Sequence, residues 1–221
     1  ETLRYQKATA QVLKIVSRSQ SDTKPVFEAI VASAVELFDM PFCSVWLRNG
    51  NRLEPAAAAL APLPAPIPLD PTYLNSLVVL EGRTIRIDDL QVSEELPGPG
   101  RQRMIERGVR STMTAPLLSG GMAIGSLSIG GPEPKKISDK QVALLQTFAD
   151  QAVIAIENAR LFNELEARNA QLAESLQYQT ATSDVLKIVS SSVANAQPVF
   201  DAILASVLHL FEGFDSTVWL A

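Results

Sequence analysis

Apolar residues recur at two different periods along this chain, and the switches between them divide it into elements. Residues 2 to 18 read as a helix with Leu13, Val16 and their neighbours on one face. A polar turn, Ser19 to Lys24, leads to Pro25, a residue tolerated in a first helical turn. Phe27, Ile30, Val31, Ala34, Val35 and Phe38 then repeat at helical spacing. From Phe42 to Arg48 the period falls to two, which predicts a strand, and Asn49-Gly50-Asn51 is a hairpin turn into a second strand near Leu53 to Leu60. Pro55, Pro62, Pro64, Pro66, Pro68 and Pro71 follow at a density that forbids interior strand or helix and predicts an extended, partly polyproline II excursion. Tyr73 to Leu80 predicts a short helix and Thr84 to Ile87 a short strand. Asp88 to Gly100 reads as loop, and Arg101 to Arg107 as a short helix ended by Gly108. Val109 to Leu118 and Met122 to Ile129 alternate most clearly, with Gly120-Gly121 as the hairpin signal between them. Gly130-Gly131-Pro132-Glu133-Pro134 is expected to break the sheet.

Beyond it, Ile137 to about Ser192 contains neither Pro nor Gly and is rich in strong helix formers. Ser138 is a suitable N-cap, and Asp139 places negative charge where the helix dipole favours it. A helix of this length would extend roughly 80 Å at ~1.5 Å per residue, more than one domain needs. With Leu165 at heptad position d, Phe162 and Asn169 fall at a, Leu172 at d, Leu176 at a and Leu186 at d; Gln179 and Ser183 are the weak points. A lone Asn at a favours a parallel, in-register pair of helices at some cost in stability. The other reading of the same spacing is an amphipathic helix lying on its own domain.

Two helices, two strands, a loop-rich middle, two strands and a closing helix imply an α+β fold. Adjacent hairpins make the sheet antiparallel, helices from both ends of the sequence can pack together on one face, and the opposite face is left to the loops. A pocket there is a natural expectation. The chain also repeats itself. Leu3-Arg4-Tyr5-Gln6 recurs as Leu176-Gln177-Tyr178-Gln179, Val12 to Ser17 as Val185 to Ser190, Pro25-Val26-Phe27 as Pro198-Val199-Phe200, and Val45-Trp46-Leu47 as Val218-Trp219-Leu220, all at one offset without gaps. Such a long period is that of a whole domain, with the second copy ending after its first strand. The expected organisation is a complete domain over 1–165, a coiled-coil-like linker over 166–184 and the N-terminal part of a second copy over 185–221.

Composition narrows the partners. The chain has 221 residues, 47% hydrophobic and 19% charged, as expected of a soluble globular protein. A net charge of −5 argues against nucleic acid or a membrane surface as partner. No apolar run approaches the ~20 residues of a membrane span, and no signal-peptide pattern opens the sequence; the expectation is a cytoplasmic protein. One cysteine, Cys43, excludes an internal disulfide and a Cys-cluster metal site.

Strand alternation selects candidate site residues. Trp46 shares a strand face with Ser44, opposite Val45 and Leu47, so it faces the loops as a pocket wall or as packing beneath them. Ser126 and Ser128 oppose Gly125, Leu127 and Ile129, and Ser111, Thr112 and Thr114 add hydroxyls on the neighbouring strand. These six are the candidate ligand-binding residues; the competing reading is that their hydroxyls meet water or loop backbone. Cys43, sharing a face with Val45 and Leu47, is expected to be buried as a small hydrophobe. His209 reads as a surface helix residue. Arg101, Arg103, Arg107 and Arg110 either attract an anion or form a solvated face near Glu94, Glu95 and Glu106. Gly98 and Gly100 are too weak a pattern for a phosphate loop.

Arg110 to Leu117, Gly125-Ser126-Leu127-Ser128-Ile129, Phe148-Ala149-Asp150-Gln151-Ala152 and Ile156-Glu157-Asn158-Ala159-Arg160-Leu161 together resemble a GAF domain of a bacterial sensor protein, over about residues 5 to 165. The resemblance implies a GAF/PAS-like antiparallel sheet and a regulatory, non-enzymatic module. Tandem GAF domains joined by a helix are typical of sensory regions of histidine kinases and nucleotide cyclases. Several ligand patterns of that family are missing. The loop-rich middle has no Cys-His pair for a bilin, and the only histidine, His209, lies outside the complete domain where a haem would need it. Phe148 is followed four residues on by Ala152-Val153, where cyclic-nucleotide binders carry Asp-Glu. One cysteine is too few for methionine-sulfoxide reduction. No cofactor is expected. The partners expected are a second copy, joined through the N- and C-terminal helices with Phe162, Leu165, Asn169, Leu172 and Leu176 as seam, and a small-molecule ligand of unknown identity. The competing function is a ligand-free dimerisation scaffold. An enzyme is disfavoured, because no nucleophile–base pair or metal cluster can be assembled from one Cys and one His.

Overall fold

The computed structural model describes residues 10, 12, 15, 21–60, 62–96, 98–191 and 197–210, the side chains of 188–191, 197–199 and 208–210 excepted. Most of the predicted helix over 2–18, the strand Ser216 to Leu220 with Trp219, and the His209 side chain lie outside the described residues. The chain divides into two compact units, Glu1–Phe162 and Asn163–Ala221.

In the first unit, α1 (Lys24–Phe38) has Pro25 in its first turn and ends at Asp39 in the left-handed conformation. Two hairpins follow, separated by the loop-rich middle. Strands β1 (Phe42–Asn49) and β2 (Arg52–Ala58) form the first, and β5 (Ser111–Ser119) and β6 (Met122–Gly131) the second. Between them lie β3 (Ile67–Pro68), α2 (Leu74–Glu81), β4 (Ile85–Ile87) and α3 (Pro99–Glu106). One six-stranded antiparallel sheet results, in the order β3-β2-β1-β6-β5-β4. The expected fold class is the one observed.

Three local expectations need correction. The proline-rich stretch does contribute strand. Pro55 lies within β2 opposite Trp46, where the register slips by one residue, and Pro68 sits in the two-residue edge strand β3. A bulge and an edge are both places where a strand tolerates a residue without an N–H. Second, Gly130 and Gly131 continue β6 instead of ending it. Gly130 is required there by contact, since a Cβ would lie 2.9 Å from Val109 Cγ1 and 3.1 Å from the Ser111 carbonyl. Third, α3 begins at Pro99 rather than Arg101. Gly100 allows this helix to sit directly on the backbone of Thr72 and Tyr73, where any side chain would collide.

The helix-side core explains why the chain folds this way. Phe27, Ile30, Ala34 and Phe38 of α1 meet Val45, Met113, Ala115, Leu117, Leu127 and Ile129 of the sheet, and Leu145, Phe148, Ala149, Ala152 and Ala155 from the closing helix complete the layer. Val12, from the start of the chain, is buried in the same layer. Phe38 and Phe148 meet edge to face, with centroids 6.4 Å apart.

The closing helix, α4 (Asp139–Ser191), starts on a capping box. Ser138 Oγ accepts from Gln141 N at 3.3 Å, and Gln141 Oε1 accepts from Ser138 N at 2.9 Å. In the second unit, α4 continues to Ser191 and α5 (Gln197–Leu210) follows. Leu165, Leu172, Leu176 and Leu186 are each at least 57% exposed, so this stretch carries an uncovered apolar stripe.

Candidate functional site

The sheet has two faces, and residue parity assigns each side chain. On β1, β5 and β6 the odd-numbered positions Cys43, Val45, Met113, Ala115, Leu127 and Ile129 face the helices. The even positions Ser44, Trp46, Thr112, Thr114, Ser126 and Ser128 face the other way, under the loops. Two smaller apolar clusters anchor those loops. Trp46, Leu53, Ile67, Val79 and Ala123 form one. Leu74, Val78, Ile85, Ile87, Leu90, Leu96 and Val109 form the other. Between them lies a cavity of about 360 Å³, walled by Phe42, Trp46, Leu60, Pro62, Pro64, Met104 and Val109, with Ser44, Asn75, Thr112, Ser128 and Arg107 as polar lining. It occupies the place the sequence leaves for a pocket.

Five of the six predicted ligand residues reach this face. Trp46 is both wall and packing: it is 4% exposed, and its Nε1 donates to Ser44 Oγ at 2.8 Å. Thr112 Oγ1 donates to the Ile129 carbonyl at 2.9 Å, Thr114 and Ser128 share a hydrogen bond of 2.8 Å, and Ser126 Oγ donates to Asn75 Oδ1 at 3.1 Å. The hydroxyls therefore satisfy one another and the backbone first. Thr112 and Ser128 line the cavity, whereas Thr114 and Ser126 support it from the side. Ser111 does not belong with them. It has the parity of Met113, its Oγ lies near Met40 and Gly131 on the helix side, and it finds no hydrogen-bond partner among the described residues.

The cavity's free donors come from elsewhere. Asn75, on α2, is brought over the sheet by its bond to Ser126, and its Nδ2 donates to no protein atom among the described residues. The side chain of Arg107, at the end of α3, has neither a hydrogen-bond acceptor nor an ion-pair partner among them. The other three arginines near that helix hold the loops together. Arg101 donates to the carbonyls of Leu90 at 2.7 Å and Gln91 at 2.5 Å. Arg103 lies over the Tyr73 ring. Arg110 grips both oxygens of Asp89, at 3.0 and 2.8 Å. That hydrogen bond, aided by the Gln91 N–H, holds the Asp89 carboxyl below its ordinary range and raises the Arg110 guanidinium. No sequence period marks Asn75 or Arg107; the signal available was an amide in a short helix and one arginine among four.

Cys43 behaves as a small core hydrophobe. Burial pushes its thiol up to about 12, so it carries no thiolate near neutral pH. Among the described residues no group of three or more His, Cys, Asp or Glu is placed to hold a metal ion. No helix among them is long and apolar enough to cross a membrane.

The family model described as the GAF domain matches residues 22–156. The chain belongs to the GAF family. GAF domains are sensory and regulatory modules. Comparison with curated proteins yields no match. Among solved structures, the GAF domain of an Acinetobacter phosphoenolpyruvate-protein phosphotransferase is similar at 16% identity, covering 72% of this chain and 97% of that one, with a TM-score of 0.60. The free methionine-R-sulfoxide reductase from Neisseria meningitidis, in complex with its substrate, is similar at 19% identity, covering 71% and 90%, with a TM-score of 0.61. The phycocyanobilin-bound GAF domain of a cyanobacterial phytochrome is similar at 14% identity, covering 71% and 96%, with a TM-score of 0.60. Likeness at these identities establishes the GAF fold.

Proposed function

We propose that this protein is a sensory GAF module whose loop-covered cavity takes a small molecule and whose long helix relays the cavity's state to a signalling output domain of a larger, cytoplasmic protein. The observation that carries this reading is a 360 Å³ cavity with two polar donors, Arg107 and Asn75 Nδ2, that nothing in the described protein satisfies. Thr112, Ser128 and Trp46 form its floor; Thr114 and Ser126 hold that floor in place.

The relay uses the packing of α4 on the sheet. Two chains pair through the N- and C-terminal helices, with Phe162, Leu165, Asn169, Leu172 and Leu176 as seam. The exposed leucines of that stripe gain by burial against a second copy, and Asn169 fixes register. Residues 185–221 then form the start of a second GAF copy in a tandem array, with a histidine kinase as the output type best matched by that organisation. Coupling requires two helix arrangements of similar free energy, each favoured by a different cavity state.

Native mass spectrometry of freshly purified protein tests the sensing role. A bound small molecule of defined mass, lost on denaturation, is the expected result. The second reading, a ligand-free dimerisation scaffold, is favoured by the mutual satisfaction of the sheet hydroxyls. A dimer with no small molecule bound, and none acquired from a cell extract, would select it.

A further inference from the structure

Resting on the reading of the cavity as a ligand site, we infer that its ligand is a small, flat, apolar molecule bearing a single carboxylate, which Arg107 holds. Two features of the lining define the ligand's body. Phe42 and Trp46 offer aromatic surface, and Leu60, Pro62, Pro64, Met104 and Val109 close around them with no polar atom on their side chains. Prolines and aromatic rings are stiff, so a flat hydrocarbon body is bound with little ordering cost. The volume of about 360 Å³ is at the small end for ligand sites.

The charge follows from what the lining contains and lacks. Arg107 is its one ionised side chain, and no aspartate or glutamate is among the lining residues. An amine-bearing ligand would place a second cation beside an arginine with no carboxylate to offset either. An anion is paired instead, and the guanidinium fork matches the two oxygens of a carboxylate. A phosphate monoester carries close to two negative charges at neutral pH, of which a single arginine matches one, whereas a carboxylate is matched in full. Arg101 donates to the Leu90 and Gln91 carbonyls and Arg110 is paired with Asp89, while Arg103, over the Tyr73 ring, lines a smaller adjoining pocket of about 70 Å³ and is not among the lining of this one. Asn75 Nδ2 adds a neutral donor over the same floor, suited to a carboxylate oxygen or a ring acceptor.

Isothermal titration with three matched probes, 1-naphthoate, 1-naphthamide and 1-naphthyl phosphate, tests this. The indole N–H resonance of Trp46, followed in a Trp219→Phe background, reports that binding occurs in the cavity. The carboxylate should bind at least tenfold more tightly than the amide and the phosphate ester. Arg107→Gln should remove that preference, and Arg107→Lys should retain part of it. Arg107 is exposed and holds no other residue, so both variants should fold. Equal binding of naphthoate and naphthamide, each shifting Trp46, would overturn the carboxylate assignment while leaving a ligand cavity in place. Tightest binding by the phosphate ester, or a naphthoate affinity unmoved by Arg107→Gln, would overturn it too. If no probe binds at millimolar concentration, the ligand class is wrong, and the mass-spectrometric search for a bound molecule decides the cavity's role independently.

Discussion

The carboxylate of Asp88 accepts a hydrogen bond from the backbone N–H of Ile137 at 2.9 Å, closing a gap of 49 residues. Asp88 follows β4, and Ile137 is the last buried apolar residue before α4. Neighbouring contacts strengthen the tie. Lys135 N donates to the Asp88 carbonyl at 3.0 Å, and Arg86 donates to the Ile137 carbonyl at 3.3 Å and pairs with Asp139. The same strand leads on to Asp89 and Leu90, which Arg110 and Arg101 connect to β5 and α3. One short strand thus joins the loops over the cavity to the first turn of the long helix. Asp88→Ala should loosen that turn by about 1 kcal/mol, the ordinary net value of one hydrogen bond, and raise amide exchange over 137–145 roughly fivefold. Exchange at the β5–β6 hairpin should be unchanged.

Acid should weaken the loop anchor before the core. The Arg110 guanidinium beside Asp89 holds its carboxyl below the ordinary range. A lowered folded value means the stabilisation is complete above the unfolded carboxyl's pKa of about 4 and is lost as pH falls through the folded value. Urea unfolding from neutral pH to about pH 3 should therefore show a steeper loss for wild type than for Asp89→Asn. Parallel acid limbs would show that the pair contributes nothing.

Core and seam substitutions should separate folding from association. Phe148 is fully buried against Phe38, and Phe148→Ala should cost about 3–5 kcal/mol. Leu165 is 57% exposed, so Leu165→Ala should leave the first unit's stability within about 0.5 kcal/mol. The same change should weaken self-association, read by light scattering over a dilution series. An undiminished dimer in Leu165→Ala and Leu172→Ala variants would remove the seam from the account.

The phase of the helix pair is a separate test. When the module is joined to a signalling output domain, seven residues inserted between Glu166 and Gln171 preserve the heptad, whereas four shift it by about half a repeat. Output should remain regulated with the seven-residue insertion and become locked with the four-residue one. Identical behaviour of both would make the helix a spacer.

Much of this fold was legible because its signals are local. Alternation and Gly120-Gly121 mark the β5–β6 hairpin, and the spacing of Phe27, Ile30, Ala34 and Phe38 marks the buried face of α1. The same parity that places Ser126 and Ser128 under the loops puts Ser111 on the helix side with Met113, so the sequence itself separates it from Thr112 and Thr114. Asn75 and Arg107 were a different matter. Each reaches the cavity through a contact distant in sequence: Asn75 across 51 residues to Ser126, and α3 through the close approach of Gly100 to Thr72. Strand β3 was hidden for the opposite reason, since two residues are too few to show a period and one of them is a proline.

Amide hydrogen exchange over residues 85–90 and 137–145, with and without 1-naphthoate, tests the coupling of cavity to helix most directly. The account predicts slower exchange in both segments when the cavity is filled, with the response at 137–145 abolished by Asp88→Ala and that at 85–90 retained. Protection confined to 85–90 in the wild-type protein, with the first turns of α4 unmoved, would contradict it.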